Sequence, residues 1–207
     1  MYIPPHFSME NPEELVAFMK EYNFALLVSS LDGEPYATHL PFMIKYEEDT
    51  LFLLAHMAKE NPQLKNLETQ PVLVVFSEPH AYISPSLYES YPNVPTWNYV
   101  AVHVYGQLKC LDTAKTLQLM EETVAHFEPQ KERFWDNLPT TYRNRLLDAV
   151  VAFEIQVTRV EGKKKLNQNR TEKDRELVRT ALEMREDANA RKIAALMEKE
   201  AHKRVTN

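Results

Sequence analysis

Glycine is the residue that most restricts the folds open to this chain. Only three of its 207 residues are glycine: Gly33, Gly106 and Gly162. The phosphate loops of P-loop proteins and of dinucleotide-binding folds need several glycines within a few residues, because the backbone must turn tightly beside the phosphate. No stretch of this sequence supplies such a loop. Folds that depend on one are therefore excluded.

Strand-like segments follow one another in hairpin order along most of the chain. FALLVSS and PYATHLPFMIKY flank an Asp32-Gly33 turn, and a second acidic turn at 47–49 leads into TLFLLAH. Further strands are predicted at PVLVVFSE, YVAVHVYGQLKCLD and VAFEIQVTRVEG, with a weaker, proline-interrupted strand or loop at AYISPSLY. Six or seven strands in this order predict a closed antiparallel barrel with helices at its ends.

Helices are predicted between and after these strands. Asn11-Pro12 and Asp112 are typical helix starts, for EELVAFMKEY and TAKTLQLMEETVAHFE respectively, and TYRNRLLDAV is a further helix. NPQLKNLE is predicted to be a short helix, and the segment 129–139 to be irregular. From Thr171 the pattern indicates one long charged helix. We therefore predict a barrel domain over residues 1–170 and a helical extension over 171–207.

Charge is distributed unevenly along the chain. The net charge of −6 combines residues 1–158, with 10 Lys and Arg against 21 Asp and Glu, and residues 159–207, with 14 against nine. The basic C-terminal quarter predicts possible contact with an anionic partner such as DNA, although a solvated helix has the same composition. No apolar run reaches the roughly 18 residues of a membrane span. The start does not resemble a secretory signal, and Cys110 is the single cysteine, so we expect a cytoplasmic protein without membrane contact.

Two segments near the middle of the chain could bind an anion or a ring. In AHMAKENPQL a strand ends at His56, Lys59 follows, and a helix opens at Asn61-Pro62. A helix start favours an anion, so this corner predicts a phosphate site, and an ordinary strand-to-helix turn is the alternative. In THLPF, His39 lies inside an otherwise apolar strand, where a structural role is the alternative to ligand binding.

The segment GKKKLNQNR, residues 162–170, offers many hydrogen-bond donors and no acid. A phosphate, a carbonyl-rich ring or a nucleic-acid backbone would suit this composition. The alternative is a solvated basic loop. The sequence alone leaves both open.

The stretch VPTWNYVAVHVYG, residues 94–106, places two aromatic residues, a hydroxyl and an amide at the entry to a strand. We expect Pro95 to end a loop and Thr96, Trp97, Asn98 and Tyr99 to lie just ahead of the strand. Such a group suits a flat heteroaromatic ligand. The alternative is that Trp97 anchors the core and Asn98 caps a turn.

Metal binding and nucleophilic catalysis find no support in the residue spacing. The seven histidines show no His-x-x-x-His pattern, and neither a Cys-x-x-Cys nor a G-x-S-x-G motif occurs. We therefore predict no metal site and no catalytic residue.

The sequence blocks, taken in order, resemble the PaiB family of FMN-binding negative transcriptional regulators. The blocks MYIPPHF, THLPF, HMAKENPQ, PHAYISPSLY, VPTWNY-x-AVH-x-x-G and GKKKLNQNR carry the resemblance over residues 1–170. The resemblance implies an FMN-binding split barrel, normally a homodimer with flavin in the cleft between subunits. It also implies repression of protease synthesis and sporulation. Two departures lie near the implied site, Ala55 in place of a common Gly and Asn167 in place of a common Ser.

The same resemblance implies roles for individual residues. Trp97 and Tyr99 would cover the isoalloxazine, and Thr96 and Asn98 would bond its polar edge. The corner around His56 and Lys59 would take the phosphate, the strand residues 39–42 would line the ring or ribityl chain, and residues 165–170 would close the cavity. Two residues, Tyr82 and Ser84, would come from the partner subunit. The implied cofactor residues are His39, Leu40, Pro41, Phe42, His56, Lys59, Asn61, Tyr82, Ser84, Thr96, Trp97, Asn98, Lys165, Gln168, Asn169 and Arg170.

Two other functions remain open at this point. One is a flavin-dependent oxidoreductase that uses NAD(P)H or a small substrate, because in flavin enzymes the cofactor supplies most of the chemistry. The other is a dimeric interaction protein that has lost its cofactor, for which Ala55 and Asn167 leave room. Enzyme activity is not the main expectation, since no residue is an evident catalytic base.

Overall fold

The fold is an antiparallel β-sheet with five α-helices in the described part of the chain. The computed structural model describes residues 1–128 and 137–205. The strands are hydrogen-bonded in the order β3-β2-β6-β7-β8-β5-β4, and β1 pairs with β8. Their bounds are β1 Ser8–Met9, β2 Phe24–Leu31, β3 Glu34–Pro41, β4 Met43–Glu47, β5 Thr50–Ala58, β6 Pro71–Ile83, β7 Thr96–Cys110 and β8 Val150–Lys165.

Two of the helices begin directly after a capping side chain, that of Asn11 or of Asp112. The Asn11 Oδ1 accepts a hydrogen bond from the Glu14 N–H at 2.9 Å, and the Asp112 Oδ1 accepts one from the Lys115 N–H at 2.9 Å. Such caps satisfy N–H groups that have no partner inside the helix. Of the four helices predicted before residue 150, the three at EELVAFMKEY, TAKTLQLMEETVAHFE and TYRNRLLDAV are confirmed. The helices are α1 Pro12–Glu21, α2 Thr113–Phe127, α3 Thr140–Asp148, α4 Glu172–Glu183 and α5 Ala188–Val205.

Both predicted hairpin turns are confirmed, and each has two consecutive residues with positive φ. Asp32 and Gly33 have φ of 54° and 86°, and Glu48 and Asp49 have φ of 45° and 65°. Two-residue turns of this kind match the right-handed twist of the flanking strands. They fix the antiparallel register of β2 with β3 and of β4 with β5.

Several predicted boundaries were wrong. The strand predicted at PYATHLPFMIKY divides into β3 and β4 at the buried Phe42, whose N–H donates to the Asn23 carbonyl at 2.8 Å. The residues Ala81–Ile83 continue β6 instead of forming a separate element. Thr96–Tyr99 are the first residues of β7 and not a loop ahead of it. Each difference arises because pairing with a neighbouring strand, and not local sequence, decides where a strand ends.

Two helix predictions were also wrong. The segment NPQLKNLE forms two short 3-10 turns, Pro62–Lys65 and Leu67–Thr69, and not one helix. The tail forms α4 and α5 instead of one long helix, because α4 ends at Glu183 and its last carbonyls are capped by the N–H of Met184. Of the irregular segment predicted over 129–139, residues 129–136 lie outside the described part of the chain.

The chain forms two compact units, and β6, β7 and β8 contribute to both. The first unit contains residues 1–15, 77–102 and those from 161 onward, and the second contains residues 16–76 and 103–160. Buried side chains of α4 and α5, including Val178, Leu182 and Ile193, belong to the first unit. The second unit has an aromatic core in which the Phe42 ring lies 6.0 Å from Phe76 and 6.5 Å from Phe153. The domain division predicted at residue 170 stays a prediction.

Candidate functional site

The residues predicted to bind a cofactor fall into two groups, one in each unit. The first unit holds Tyr82, Ser84, residues 96–98, Lys165 and residues 168–170, and the second holds residues 39–42, His56, Lys59 and Asn61. That these residues together hold one ligand stays a prediction.

An exposed aromatic surface marks the first unit. Trp97 is 52% exposed, and its ring lies 5.7 Å from the Tyr82 ring and 5.9 Å from the His80 ring, measured between centroids. The alternative interpretation of Trp97 as a core anchor is therefore wrong. The backbone of Tyr82 is fixed by Arg185, whose guanidinium donates to the Tyr82 carbonyl at 2.9 Å. Exposed, edge-packed rings of this kind offer a face on which a flat ring can stack.

The residues on either side of Trp97 point away from this surface, because side chains alternate along a strand. The Thr96 hydroxyl accepts a hydrogen bond from the Lys165 ammonium. Asn98 is fully buried, and its Nδ2 faces the Met197 sulfur at 3.7 Å. The Asn98 Oδ1 is buried and has no hydrogen-bond partner among the described residues. Thr96 and Asn98 were the pair predicted to bond the polar edge of a ring. Asn98, however, is covered by α5.

Three cations lie near the same end of β7. The Lys163 ammonium is 5.3 Å from the centroid of the Tyr99 ring, and the Arg170 guanidinium is 4.9 Å from that of Tyr88. Burial lowers the pKa of Lys165, and the positive charges of Lys163 and Arg170 lower it further. An anion placed beside Lys165 would relieve both effects, so this cluster suits a phosphate group.

Lys164, between two members of this cluster, has a different role that the sequence did not reveal. Its ammonium is buried and bonds the Glu14 carboxylate at 2.7 Å and the Glu200 carboxylate at 2.5 Å. Burial alone would lower the pKa of Lys164, but the two carboxylates outweigh it and raise the pKa. Lys164 therefore joins β8 to α1 and α5. The strand period of two was the signal that could have separated it from Lys163 and Lys165.

The turn after β8 is held by its own side chains. Gln168 is buried, accepts from the Leu166 N–H at 2.6 Å and donates to the Lys164 carbonyl at 2.6 Å. Asn167 has a φ of 61° and donates to the Tyr88 hydroxyl at 3.2 Å. Asn169 is exposed. Elsewhere in the first unit, the Ser84 hydroxyl caps the short 3-10 turn Pro85–Leu87 by accepting a hydrogen bond from the Ser86 N–H. Among these residues, Gln168 and Asn167 shape the turn.

In the second unit, His39 is the most accessible of the predicted residues on β3. Its imidazole is exposed and stacks on the Phe24 ring, with centroids 6.0 Å apart and an interplanar angle of 20°. Leu40 and Phe42 are buried, and Pro41 is half-buried. His39 is therefore the side chain of this strand end that can offer a polar group to a ligand.

The predicted phosphate corner around His56 and Lys59 has weaker electrostatics than the sequence implied. Burial lowers the pKa of His56, so its imidazole is neutral near pH 7. Lys59 is exposed and brings the positive charge of this corner. The Asn61 side chain is engaged twice, accepting from the Gln63 N–H and donating to the Thr38 hydroxyl, both at 3.0 Å. A 3-10 turn of four residues also carries little dipole.

A buried glutamine that the sequence interpretation missed, Gln63, holds the 3-10 turn of this corner in place. Gln63 is fully buried, accepts from the Thr38 hydroxyl at 2.7 Å and donates to the Ser29 hydroxyl at 2.9 Å. It also approaches the carbonyls of Leu27 and Tyr36 at 3.4 Å and 3.3 Å. The network fastens the 3-10 turn to β2 and β3. Asn-Pro-Gln in the sequence was therefore a structural signal.

Two broader predictions were that the chain has no metal site and no membrane contact. No group of three or more His, Cys, Asp or Glu side chains in residues 1–128 and 137–205 is arranged to hold a metal ion. None of the helices described in these ranges is long and apolar enough to cross a membrane. FMN, in contrast, finds matching chemistry in the first unit: an exposed aromatic face for its ring, and the cluster of Lys163, Lys165 and Arg170 for its phosphate.

Comparisons with known proteins agree with these features. Residues 1–159 match the sequence model of a family described as "Putative FMN-binding domain". The chain is 38% identical over 208 residues to the protease synthase and sporulation protein PAI 2 of Bacillus subtilis (strain 168), covering 99% of this chain and all of that one.

Solved structures with the same fold are more distant. The flavocytochrome Anf3 from Azotobacter vinelandii is 17% identical with a TM-score of 0.62, over 79% of this chain and 72% of that chain. The FAD and heme binding protein from Mycobacterium smegmatis is 17% identical with a TM-score of 0.60, over 76% and 73%. The predicted fold class, an antiparallel split barrel with added helices, is confirmed by these matches.

Proposed function

The chain belongs to this family of FMN-binding domains and is a PaiB homologue, and on that basis we propose that it is a flavin-binding regulator that reduces protease synthesis and sporulation. The flavin part of the proposal rests on residues of the first unit. The regulatory part rests on the Bacillus subtilis relative, whose name refers to protease synthesis and sporulation and whose whole length is covered by the match.

One observation carries the flavin part: two consecutive residues at the start of β7 belong to the two features, Trp97 to the aromatic surface and Thr96, through its bond to Lys165, to the cation cluster. Lys165 is bonded to Thr96, the residue next to Trp97. Trp97 and Tyr82 are exposed on the aromatic side, and Lys163 and Arg170 raise the positive potential around Lys165. In this proposal Trp97 stacks on the flavin ring and Lys165 neutralises the phosphate.

The protein side chains contribute binding and orientation, whereas bound FMN would supply one- and two-electron redox chemistry. Lys165 is suited to its part because it is half-buried and its ammonium donates a hydrogen bond to a neutral hydroxyl, that of Thr96. A phosphate can therefore approach without displacing a carboxylate. Arg185 keeps Tyr82 in place beside Trp97 through its bond to the Tyr82 carbonyl.

Quenching of flavin fluorescence on titration with purified protein tests the flavin site. Trp97→Ala should weaken FMN binding by about 2- to 12-fold, the equivalent of one aromatic stacking contact. The matched control is Tyr91→Ala, because Tyr91 is an exposed aromatic residue of the same unit and is 94% exposed. Equal effects of the two substitutions would contradict a role for Trp97.

The phosphate assignment is tested separately with Lys165→Met. We expect FMN affinity to fall about tenfold or more, while the affinity for riboflavin, which lacks the phosphate, stays unchanged. Lys173→Met is the control, since the Lys173–Glu89 pair is exposed, with side-chain exposures of 66% and 60%. An equal loss of riboflavin and FMN affinity would show that Lys165 does not contact the phosphate.

The regulatory role is tested by expression in Bacillus subtilis cells that lack the PAI 2 relative. The proposal expects this chain to lower secreted protease activity and spore counts in those cells.

Gel-shift assays at low and physiological salt test direct DNA contact through the basic C-terminal region. Retention that disappears at physiological salt would indicate only non-specific binding.

The homodimer remains part of the proposal. Sedimentation equilibrium should give twice the mass of 24.2 kDa if two copies associate. An exposed aromatic face such as that of Trp97 and Tyr82 is of the kind that subunit contacts cover.

Oxidation of NAD(P)H by the flavin-loaded protein, faster than by free FMN, would instead favour the oxidoreductase alternative.

A further inference from the structure

A cavity of about 370 Å³ opens between α4 and α5 in the first unit. Its volume falls in the range of roughly 300–1,000 Å³ that is typical of small-molecule sites. The residues from α4 recur at spacings of three and four, so they form one face of that helix. Among the predicted cofactor residues, only Gln168 contributes to the lining, which consists of Leu166, Gln168, Glu172, Arg175, Glu176, Arg179, Met197, Glu200, Ala201 and His202.

Two side chains of the cavity lining, Leu166 and Met197, are apolar and buried, with exposures of 2% and 5%. The amide of Gln168, also in the lining, is bonded to the Leu166 N–H and the Lys164 carbonyl. An apolar group of a ligand would therefore bury its own surface beside Leu166 and Met197, and neither hydrogen bond of Gln168 would have to break.

The walls of the cavity carry charges, and most of them are already paired. The Arg179 guanidinium donates to the Glu176 carboxylate at 3.0 Å, and Glu200 bonds Lys164 at 2.5 Å. The side chains of Glu172 and Arg175 have no hydrogen-bond or ion-pair partner within the part of the chain that the structure describes. These two opposite charges lie three residues apart on the face of α4 that lines the cavity.

We propose that this cavity binds a free apolar amino acid. Its carboxylate would pair with Arg175, its ammonium with Glu172, and its side chain would rest on Leu166 and Met197. A ligand with a single charge would leave one of the two unpaired wall charges without a partner, so the cavity favours a zwitterion over either mono-charged analogue. The site is separate from the flavin proposal and does not depend on it.

Isothermal titration calorimetry with L-leucine tests the ligand class. Three probes each remove one feature of leucine: 4-methylpentanoate lacks the ammonium, 3-methylbutylamine lacks the carboxylate, and glycine lacks the apolar side chain. We expect leucine to bind about tenfold or more tightly than each of these, the effect of losing one charged hydrogen bond or the apolar contact. No heat from leucine at millimolar concentrations, or equal binding of the analogues, would overturn the proposal.

Variants of the wall residues test the location. Arg175→Met and Glu172→Gln should each weaken leucine binding about tenfold, and Arg175→Met should leave 3-methylbutylamine binding unchanged. Lys173→Met, next to Glu172 on the exposed side of α4, is the matched control and should bind leucine normally. FMN affinity serves as the check on folding and should be the same in all three variants. Leucine affinity unchanged by both wall substitutions would place the site elsewhere and overturn the proposal.

Discussion

At the scale of single residues, Asn167 decides the path of the chain between β8 and α4. Its φ of 61° lies in the left-handed region, which asparagine tolerates better than other residues with a β-carbon. The side chain is 2% exposed and donates to the Tyr88 hydroxyl. Asn167 therefore has a local structural role in the turn itself.

Asn167→Ala should lower the free energy of unfolding by about 1–3 kcal/mol, because it loses a buried hydrogen bond and keeps a strained backbone. Urea unfolding followed by circular dichroism measures the change. Asn167→Gly removes the same hydrogen bond but relieves the strain, so it should cost less than Asn167→Ala. If Asn167→Ala and Asn167→Gly lower the free energy of unfolding equally, the backbone conformation at this position does not contribute to the loss of stability.

At the scale of elements, Lys164 joins three of them. It belongs to β8, and its two carboxylate partners, Glu14 and Glu200, belong to α1 and α5. A half-exposed lysine in the same position would contribute little, because surface ion pairs are weak. Because the Lys164 side chain is only 11% exposed, its ion pairs contribute more to stability than surface ion pairs do. For the same reason, removing the lysine charge is costly.

Lys164→Met should destabilise the protein by about 1–3 kcal/mol at pH 7, since it leaves two partly buried carboxylates without a cation. Lys173→Met should change the free energy of unfolding by less than about 0.5 kcal/mol. Because the folded-state pKa of Lys164 is raised, its contribution is present below its unfolded pKa and is lost as the pH rises through the folded value. The difference between wild type and Lys164→Met should therefore narrow in strongly alkaline solution, as measured by urea unfolding.

Asp174 is a second residue that connects elements. It follows the Thr171 cap of α4, is 1% exposed, and accepts from the Glu89 N–H at 2.9 Å and the Ser90 hydroxyl at 2.6 Å. The hydroxyl of Ser90 and the backbone N–H groups lower the pKa of Asp174. The carboxylate thus holds the loop between β6 and β7 against the start of α4.

The pH dependence of stability tests this role of Asp174. A lowered folded-state pKa means that the stabilisation is present above the unfolded pKa of about 3.9 and is lost as the pH falls through the folded value. Asp174→Asn should therefore be less stable than wild type from pH 5 to 7, and the difference should shrink in acid below about pH 4. Unfolding midpoints that run parallel across this range would contradict the assignment.

At the scale of the whole molecule, α5 belongs to the core of the first unit and is more than a charged appendage. Ala190, Ile193 and Ala194 are fully buried, and Met197 is 5% exposed. Helix α5 also brings Glu200 to Lys164. The net charge of +5 over residues 159–207 is therefore carried by segments whose apolar faces are packed.

Deletion of the residues after Arg185 should lower the free energy of unfolding by about 3 kcal/mol or more, since one buried Ile alone contributes roughly 1.5–3 kcal/mol. Urea unfolding and sedimentation equilibrium measure stability and association together. A shorter deletion after His202 is the control, because it keeps the buried residues of α5. An unchanged unfolding midpoint in the longer deletion would contradict the packing role, and an unchanged dimer constant would remove α5 from the subunit contact.

The sequence by itself determined the features that depend on neighbours in the chain. The helix caps at Asn11 and Asp112 and the positive-φ turns at Asp32-Gly33 and Glu48-Asp49 are local, because a side chain bonds its own helix start and a turn is set by two residues. The family motifs gave the fold class, which the structural matches confirmed.

Only the tertiary structure decided which side chains are covered. Asn98 is buried while Trp97 beside it is exposed, because Met197, 99 residues later in the chain, packs over one face of β7. Lys164 is buried between carboxylates from two helices, while Lys165 beside it faces other cations. The strand period predicts that neighbours differ, but it does not say which face a distant helix covers. That choice depends on long-range packing, which sequence spacing does not record.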